Sequence, residues 1–364
     1  MRAGYAGETE SIITRVWVDE MRKRGVEPVV ISETQPTWDV EWQPLVVGTP
    51  RVKGLGIGRL MTRQAAREAV GAASIDLLHW HFVAPRSWGR FARPLVVSAW
   101  GSDVLLAGEL GPGYCRGQRA VLRAADSVLC CAPHVRDAAI RLGARPSDCR
   151  VIGWGVDPSV FYPDEAARDR IRREWQIPID ARVVLSTRRL EPLYRHDLMI
   201  EAFVEAATHD SALYLAVASY GSLEPNLHEL VTRLGISERV RFLGRVSEEG
   251  WPSMADVYRG GDVYCSIPRS DGAPLSVLEA MATGLPVVAS DLPSMRDWVS
   301  EQGAGFLWAD SSTATLSGLL LQALEHRDTL GGNALRYARL HQSRRLHMDK
   351  AFDVYERVTR RAAQ

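Results

Sequence analysis

Short apolar runs alternate along the chain with longer segments in which apolar residues recur every three or four positions. Several short runs are apolar at successive positions, which is typical of parallel strands covered on both faces. They predict strands at Pro28–Ser32, Ile75–Trp80, Pro94–Ala99, Ser127–Cys131, Arg150–Ile152, Arg182–Ser186, Ala212–Ala218, Val240–Leu243, Val263–Ser266 and Pro286–Ala289. The periodic segments predict helices, among them Thr9–Arg24, Arg59–Ala72, Gly117–Ala125, Asp197–Ala207 and Pro225–Leu234. This alternation predicts an α/β protein with doubly wound parallel sheets.

A segment rich in glycine and proline divides this pattern in two. Ile152–Pro163 contains two glycines and two prolines between a predicted strand and the polar helix Asp164–Gln176, as expected of a linker. At roughly 100–200 residues per domain, a chain of 364 residues favours two domains. We therefore expect a first Rossmann-like domain over 1–160, a second over 161–345, and a C-terminal helix over 346–364 that packs on the first domain.

Composition argues against several classes of function. The chain is 46% hydrophobic and 24% charged, as in ordinary soluble enzymes, and its formal net charge of zero argues against nucleic acid as a partner. Only Lys23, Lys53 and Lys350 are lysines, so a Schiff base to pyridoxal phosphate has few candidates. The five cysteines form no Cys-x-x-Cys pair, which favours buried, reduced thiols over disulfides or a metal site. With no evident signal peptide or membrane span, we expect a cytoplasmic protein.

The segment Ser266–Ser290 carries the clearest candidate chemistry. A predicted strand ends near Ser266, a loop containing Gly272 follows, and a helix runs from about Leu275 to Gly284. The start of a helix presents free backbone N–H groups and the positive end of the helix dipole, and the glycine permits close approach of a ligand. The segment therefore predicts a phosphate site.

Two acids frame the start of this predicted helix. Asp271 lies directly before it, and Glu279 lies one to two turns inside it. Carboxylates that face a ligand can accept hydrogen bonds from sugar hydroxyls. The same residues also fit an ordinary helix with an acidic cap at Asp271 and a solvated Glu279, and physical reasoning alone leaves both interpretations open.

The segment resembles the signature of the large retaining GT-B glycosyltransferase family (glycosyl transferases group 1), which includes enzymes like sucrose-phosphate synthase, mannosyltransferases and N-acetylglucosaminyltransferases. That signature is two acids separated by seven residues and followed by Ala-Met-Ala-x-Gly-x-Pro-Val-Val-Ala. Here the acids are Asp271 and Glu279, with aspartate where glutamate is commoner. The resemblance implies a GT-B fold, with two Rossmann-like domains facing across a cleft, and a retaining hexosyltransferase that uses a nucleotide-sugar donor.

A second segment, Leu185–Leu198, resembles the arginine-then-lysine motif with which the family holds the donor diphosphate. Arg188 and Arg189 both stand near the arginine position. Tyr194 falls where many relatives carry the lysine, and Arg195 lies beside it. The resemblance implies that Arg188 or Arg189, together with Arg195, binds the diphosphate, because guanidinium groups pair well with phosphate oxygens.

Further segments resemble the same family. Gly153–Pro163 resembles its domain junction, and Ala218–Gly221 and Arg241–Val246 resemble the parts that bind the nucleobase. Gly4–Glu10 resembles the glycine-rich loop that approaches the donor phosphates. Only three residues precede Gly4, so either the sheet lacks its first strand or the native start lies upstream, of which we favour a truncated or misassigned start. We therefore expect the first strand of the first domain to be missing from this sequence.

The acceptor side is expected at the ends of two strands of the first domain. The family often has a histidine where Trp100 stands, and Trp100 could instead stack on a sugar or an aromatic acceptor. His79 and His81 share one face of a predicted strand, and His81 lies nearer the carboxyl end. A structural role for either histidine is the alternative.

The resemblance thus implies catalytic, donor-binding and acceptor-side residues. The catalytic residues are Asp271, Arg189 and Glu279. The donor-binding residues are Gly7, Arg188, Arg189, Arg195, Tyr220, Gly221, Leu243, Asp271, Gly272, Ala273, Pro274, Leu275, Ser276 and Glu279, and the acceptor-side residues are His81, Trp100 and Asp103. No Asp-x-Asp sequence occurs, so we expect neither metal nor other cofactor, and arginines would neutralise the leaving diphosphate.

The expected partners are a UDP- or GDP-linked sugar and a small-molecule, natural-product or glycan acceptor. Arg51–Arg67 contains five cationic residues and no acid, which fits a solvated helix face or contact with an anionic lipid or acceptor. Gly54–Gly58 is rich in glycine but has the wrong spacing for a dinucleotide site. Two other functions stay open: a non-catalytic subunit that binds a nucleotide sugar, and a nucleotide-sugar 2-epimerase.

Overall fold

Two parallel sheets organise the structure, a computed structural model that describes residues 1–7, 11–32, 45–46, 71, 73–83, 94–246 and 252–364. The strands are Arg2–Gly7 (β1), Glu27–Ser32 (β2), Leu45–Val46 (β3), Leu77–His81 (β4), Leu95–Ala99 (β5), Ser127–Cys130 (β6), Cys149–Val151 (β7), Arg182–Ser186 (β8), Leu213–Val217 (β9), Val240–Phe242 (β10), Val263–Ser266 (β11), Val287–Ser290 (β12) and Gly305–Trp308 (β13). The helices are Ile12–Arg22 (α1), Ser102–Leu105 (α2), Pro112–Ala124 (α3), Pro133–Arg141 (α4), Glu165–Glu174 (α5), His196–His209 (α6), Glu224–Arg233 (α7), Met254–Arg259 (α8), Leu275–Ala282 (α9), Pro293–Met295 (α10), Thr313–Glu325 (α11), Arg327–His341 (α12) and Arg344–Ala362 (α13).

The chain forms two compact units, each with its own sheet. One consists of Met1–Trp154 with Arg345–Gln364, and the other of Gly155–Arg344. The first sheet has the order β3-β2-β1-β4-β5-β6-β7 and the second β10-β9-β8-β11-β12-β13. Every strand pair is parallel, and strands such as β4, β5 and β12 are buried at every position, as their apolar sequences predict.

Each of the ten predicted strands coincides with or overlaps an observed strand, so the α/β prediction is confirmed. The prediction that the first sheet lacks its first strand is wrong. β1 pairs with both β2 and β4, and Ala3, Tyr5 and Ala6 are fully buried in it. Its two glycines give it a weak strand pattern, but Gly4 fits a crowded position, because a Cβ there would lie 2.7 Å from the side chain of Ile75.

The C-terminal segment Arg345–Gln364 belongs to the first unit, although it follows the second along the chain. Arg24, just after α1, donates to Asp349 Oδ1 over 2.7 Å and to the carbonyl oxygen of Arg345 over 3.2 Å. The division between the units falls at Trp154/Gly155 and at Arg344/Arg345, whereas the sequence placed it after residues 160 and 345.

A buried ion cluster fixes the edge of the second sheet at which its strands begin. Arg172 on α5 is fully buried, and its guanidinium donates to the carbonyl oxygens of Gly260, Ile179 and Ala181 and to the carboxylate of Asp262. Burial lowers the pKa of Arg172, although the charge of Asp262 counters the effect.

Asp262 forms ion pairs with two further arginines. Arg168 lies 3.1 Å and Arg327 3.0 Å from its Oδ1, and the backbone N–H of Val183 in β8 donates to its Oδ2 over 2.7 Å. One carboxylate therefore joins two helices to the start of β8 and to the residue before β11.

We expect Asp262→Asn to lower the free energy of unfolding by about 3–5 kcal/mol, because it leaves the buried Arg172 without its counter-charge. Chemical denaturation followed by tryptophan fluorescence measures the change. Asp180→Asn is the matched control, since Asp180 is exposed near the same cluster. An equal, small effect of both substitutions would contradict the structural role of Asp262.

Candidate functional site

The candidate site lies where two neighbouring strands of the second sheet end. β8 and β11 are parallel neighbours, so the loops that follow them meet at one edge of the sheet. The first loop contains Thr187, Arg188 and Arg189. The second contains Asp271 and leads into α9.

Arg188 joins these two loops. Its guanidinium Nη2 lies 2.5 Å from Asp271 Oδ2, and its Nη1 donates to Ser276 Oγ over 3.0 Å. The guanidinium carbon lies 4.4 Å from the centre of the Tyr194 ring. Burial would lower the pKa of Arg188, but the charge of Asp271 and three nearby tyrosines outweigh it and raise the pKa above its ordinary value. Arg188 is thus a permanent cation at this edge.

The start of α9 is arranged as an anion site. Gly272, Ala273 and Pro274 are buried, and Pro274 supplies no side-chain cap to the helix. In its first turn the N–H of Val277 donates to the carbonyl oxygen of Pro274 over 3.1 Å, and the N–H groups of Leu275 and Ser276 precede any possible partner within the helix. With Arg188 beside them, these donors suit a phosphate group.

Glu279, the second acid of the motif, lies one turn further along α9. The hydroxyl of Tyr258 donates to Glu279 Oε2 over 2.8 Å. Burial raises the pKa of Glu279 to about 7, and the hydrogen bond from Tyr258 and the charge of Arg344 counter part of this effect. A half-buried carboxylate with a pKa near neutrality gives the site a titratable hydrogen-bond acceptor.

The side chain of Arg189 lies over the ring of Tyr220. It is exposed, its guanidinium carbon lies 4.1 Å from the centre of the Tyr220 ring, and its Nη2 lies 3.9 Å from Glu191 Oε1. Arg245 lies over the same ring at 5.2 Å. The structure therefore brings Arg188, and not Arg189, to Asp271, and groups Arg189 with the predicted base-binding residue Tyr220.

Arg195 holds the second loop in place. It has a left-handed backbone with φ of 52° and precedes α6. Its Nε donates to the carbonyl oxygen of Ile267 over 2.7 Å, and its Nη2 donates to Pro268 O over 3.1 Å and Ser290 Oγ over 2.9 Å. Burial and the charge of Arg269 lower its pKa. The guanidinium thus positions the loop that carries Asp271 and makes no contact with Asp271 itself.

Other predicted donor residues act through the backbone. Gly221 lies against the loop after β8, because a Cβ there would come 2.4 Å from the carbonyl oxygen of Leu190. The N–H of Leu243 donates to Val217 O over 2.9 Å and extends the pairing of β10 with β9. Gly7 ends β1 opposite His81 of β4 in the first unit.

In the first unit, the predicted acceptor residue His81 is fully buried. Its Nε2 lies 3.2 Å from His79 Nδ1, and Thr14 Oγ1 lies 3.2 Å from its Nδ1. His79 in turn contacts Tyr355 Oη at 2.5 Å and Ser98 Oγ at 2.7 Å. Burial lowers the pKa of His81 to about 3 and that of His79 well below its ordinary value, so both are neutral. These contacts favour the structural role for both histidines.

Asp103 is also fully buried and shapes the loop of Trp100. Its carboxylate accepts backbone N–H groups from Val83 at 2.8 Å, Trp100 at 3.0 Å and Gly101 at 2.8 Å. Burial raises the pKa of Asp103 to about 6, although these N–H groups oppose the shift. The ring of Trp100 packs edge-on against Trp154 with 5.6 Å between centroids, within an aromatic cluster at this edge of the sheet.

Sequence reasoning missed three residues of the site. They are Thr187, Tyr258 and Tyr264: Thr187 Oγ1 lies 3.0 Å from Tyr258 Oη and 2.9 Å from Tyr264 Oη. Thr187 directly precedes Arg188, so its position after β8 was a usable signal. Tyr258 and Tyr264 follow the apolar pattern of α8 and β11, which marks them only as core residues.

Several predictions fall on residues outside those that the structure describes. They are the basic segment Arg51–Arg67, the glycines of Gly54–Gly58 and the loop positions Glu8–Glu10. Among the described residues, no group of three or more His, Cys, Asp or Glu side chains could hold a metal ion. Within the same part of the chain, every helix is too short or too polar to cross a membrane.

Two family profiles match the chain. Residues 167–339 match Glycosyl transferases group 1, and residues 13–160 match Glycosyltransferase Family 4. D-inositol 3-phosphate glycosyltransferase of Thermomonospora curvata is 29% identical over 296 residues, which cover 72% of this chain and 67% of the relative. D-inositol 3-phosphate glycosyltransferase 2 of Catenulispora acidiphila is 31% identical over 237 residues, covering 61% and 54%. The chain thus spans about half to two thirds of the length of these curated relatives.

Solved structures share the fold over nearly the whole chain. Anabaena HepE in complex with UDP has a TM-score of 0.81 and 18% identity and covers 98% of both chains. Sucrose-phosphate synthase from Thermosynechococcus elongatus has a TM-score of 0.80 and 18% identity, over 100% of this chain and 99% of the other. The fold is that of the GT-B glycosyltransferases, with two Rossmann-like domains, and the predicted fold class is confirmed.

We expect Tyr355→Phe to lower the free energy of unfolding by about 1–3 kcal/mol, because it leaves buried polar groups unpaired. The hydroxyl accepts the indole N–H of Trp17 over 2.9 Å and contacts His79, so its loss weakens the attachment of α13. Urea denaturation of both proteins at pH 7.5 measures the difference. Tyr162→Phe is the control, since Tyr162 is exposed and its ring contact with Arg259 survives the change. A Tyr355→Phe protein as stable as this control would contradict the expectation.

Proposed function

Because the chain belongs to the group 1 glycosyl transferases, we propose that it is a glycosyltransferase that moves a hexosyl group from a UDP- or GDP-linked sugar to a hydroxyl of a small-molecule, natural-product or glycan acceptor. The observation that carries the proposal is the contact of Arg188 with Asp271 and Ser276 at the uncapped start of α9. A cation, a carboxylate and free backbone donors there match the diphosphate and the sugar hydroxyls of such a donor.

The diphosphate is the part of the donor that the cationic groups suit. Arg188 can pair with phosphate oxygens, and the N–H groups at the start of α9 add donors and a positive dipole. These groups are already in place when negative charge develops on the leaving diphosphate, so they stabilise the transition state without reorganisation. Arg189 and Arg245 are exposed around Tyr220 and add positive charge near the predicted base-binding segment.

The two acids suit the hydroxyl groups of the donor. Asp271 lies beside Arg188, where it would accept hydrogen bonds from the transferred sugar, and Glu279 would accept those of the ribose. Relatives support the donor class: HepE structures contain UDP and UDP-glucose, and curated relatives are named D-inositol 3-phosphate glycosyltransferases. A phosphorylated polyol therefore belongs among the acceptors to be tested.

We infer that the reaction retains the anomeric configuration and needs no metal. The acceptor oxygen bonds to the anomeric carbon on the face from which the diphosphate departs. The nucleoside diphosphate leaves with the electron pair of the broken C–O bond, and its phosphate oxygen takes the acceptor proton. The absence of an Asp-x-Asp sequence and the cationic contacts of Arg188 support this route. We also propose a cytoplasmic location, which the free cysteines favour.

We expect the purified protein to bind UDP or GDP in EDTA, measured by calorimetry against UDP, GDP, TDP and ADP. Arg188→Gln should weaken binding about tenfold or more, because it removes a charge-assisted contact to phosphate. Arg189→Gln is the matched control and should have the smaller effect, since Arg189 is half exposed over Tyr220. Binding that requires added Mg²⁺ would refute the metal-free reaction, and no binding of any nucleotide would refute the donor site.

We expect Asp271→Asn to keep nucleotide binding and to lower the rate of transfer about 100-fold. In the proposed site the carboxylate contacts the transferred sugar and not the nucleobase. Asp291→Asn is the control, since Asp291 pairs with Arg296 at the end of β12. Product formation from UDP-glucose with inositol 3-phosphate and other acceptors measures the rate. Full turnover by Asp271→Asn contradicts its role. Binding without transfer favours the non-catalytic subunit, and conversion of donor without acceptor favours the epimerase.

A further inference from the structure

A row of hydrogen-bonded hydroxyl groups leads to Glu279, the second acid of the site. In order along the row these are the hydroxyls of Tyr264, Thr187 and Tyr258, and Tyr258 contacts the carboxylate of Glu279. Tyr264 lies on β11, Thr187 directly after β8, Tyr258 on α8 and Glu279 on α9, so the row exists only in the folded protein.

The direction of every hydrogen bond in this row follows from Glu279. An ionised carboxylate can only accept, so Tyr258 donates to Glu279. This bond uses the one hydroxyl proton of Tyr258, so Thr187 donates to Tyr258, and for the same reason Tyr264 donates to Thr187. Each hydroxyl therefore donates to its neighbour on the side of Glu279.

Burial increases the effect of losing any one of these hydrogen bonds. Tyr258 and Tyr264 are fully buried, so water does not replace a partner that is lost. In such surroundings each hydrogen bond polarises the next one along the row. The hydroxyl of Tyr258 is therefore a stronger donor to Glu279 when Thr187 donates to Tyr258 in turn.

We propose that Thr187 is a positioning residue that orients this hydrogen-bond row and keeps Glu279 as the acceptor for hydroxyl groups of a nucleoside diphosphate sugar. The role in donor binding rests on the proposed function, whereas the effect of Thr187 on Glu279 rests on the contacts alone. Thr187 touches neither acid and acts through Tyr258.

Protonation of Glu279 is incompatible with this direction of the hydrogen bonds when the carboxyl group donates its proton to Tyr258. A neutral Glu279 that donates to Tyr258 would reverse every bond in turn. Tyr264 would then accept from Thr187, and the hydroxyl proton of Tyr264 would lose its partner in the row. The other groups that influence the carboxyl are the charge of Arg344, which also favours ionisation, and burial, which opposes it.

The test is a pH titration of Glu279 in the protein without nucleotide. Infrared difference spectra monitor its carboxyl band, which is identified by its loss in Glu279→Gln. Thr187→Val keeps the shape of the side chain and removes the hydroxyl. It should raise the midpoint by about one pH unit, the size expected when a hydrogen bond to a charged group is weakened. Thr187→Ser restores the hydroxyl and should leave the midpoint at the wild-type value. UDP or GDP affinity measured across the same pH range should shift with the midpoint.

An unchanged midpoint in Thr187→Val overturns the proposal, and so does a midpoint in Thr187→Ser that shifts as far as that of the valine variant. Tyr264→Phe removes the buried hydroxyl that donates to Thr187 and should raise the midpoint in the same direction, which keeps the test decisive if the valine variant does not fold. A wild-type protein that binds neither UDP nor GDP at any pH refutes the proposed donor site, and the midpoints still decide the role of Thr187.

Discussion

The parallel pairing of β8 with β11 is the constraint on which the candidate site depends. Leu185 and Tyr264 are partners in this pairing, so the residues that follow each strand come out at the same edge. Arg188 reaches Asp271 only because of this register. At the opposite edge Asp262 accepts the N–H of Val183 and pairs with the buried Arg172, which fixes the start of the same two strands. A slip by one residue would turn every inward side chain to the other face of the sheet.

Most of the fold follows from the hydrophobic pattern, because parallel strands buried on both faces form continuous apolar runs. The strands that the pattern missed are short or contain glycine. β1 contains Gly4 and Gly7, and β13 begins at Gly305, where a Cβ would lie 1.8 Å from the carbonyl oxygen of Val287. Close approach of neighbouring backbones requires glycine there, and the same glycine removes the side chain from which a strand is recognised.

The acid pair and the neighbouring arginines could be predicted from the sequence, because the acids flank a predicted helix start and the arginines belong to a recognisable motif. Which arginine reaches Asp271 was not visible, because Arg188, Arg189 and Arg195 all follow the same strand and differ only in side-chain direction. Tyr258 and Tyr264 were hidden for another reason. They lie about 70 residues beyond Thr187 along the chain and meet it through the sheet, so no local spacing reports the contact.

The two acids of the site differ in the charge of the groups around them, and this difference suits them to different roles. Asp271 contacts a permanent cation, so its charge is balanced by Arg188. Glu279 is half-buried, its direct partner Tyr258 is neutral, and burial raises its pKa to about 7. Carboxylates whose environments differ in this way can take different roles within one site. Thr187 of the hydroxyl row directly precedes Arg188 along the chain, so a single edge of the sheet supplies both a charge-balanced and a titratable acceptor.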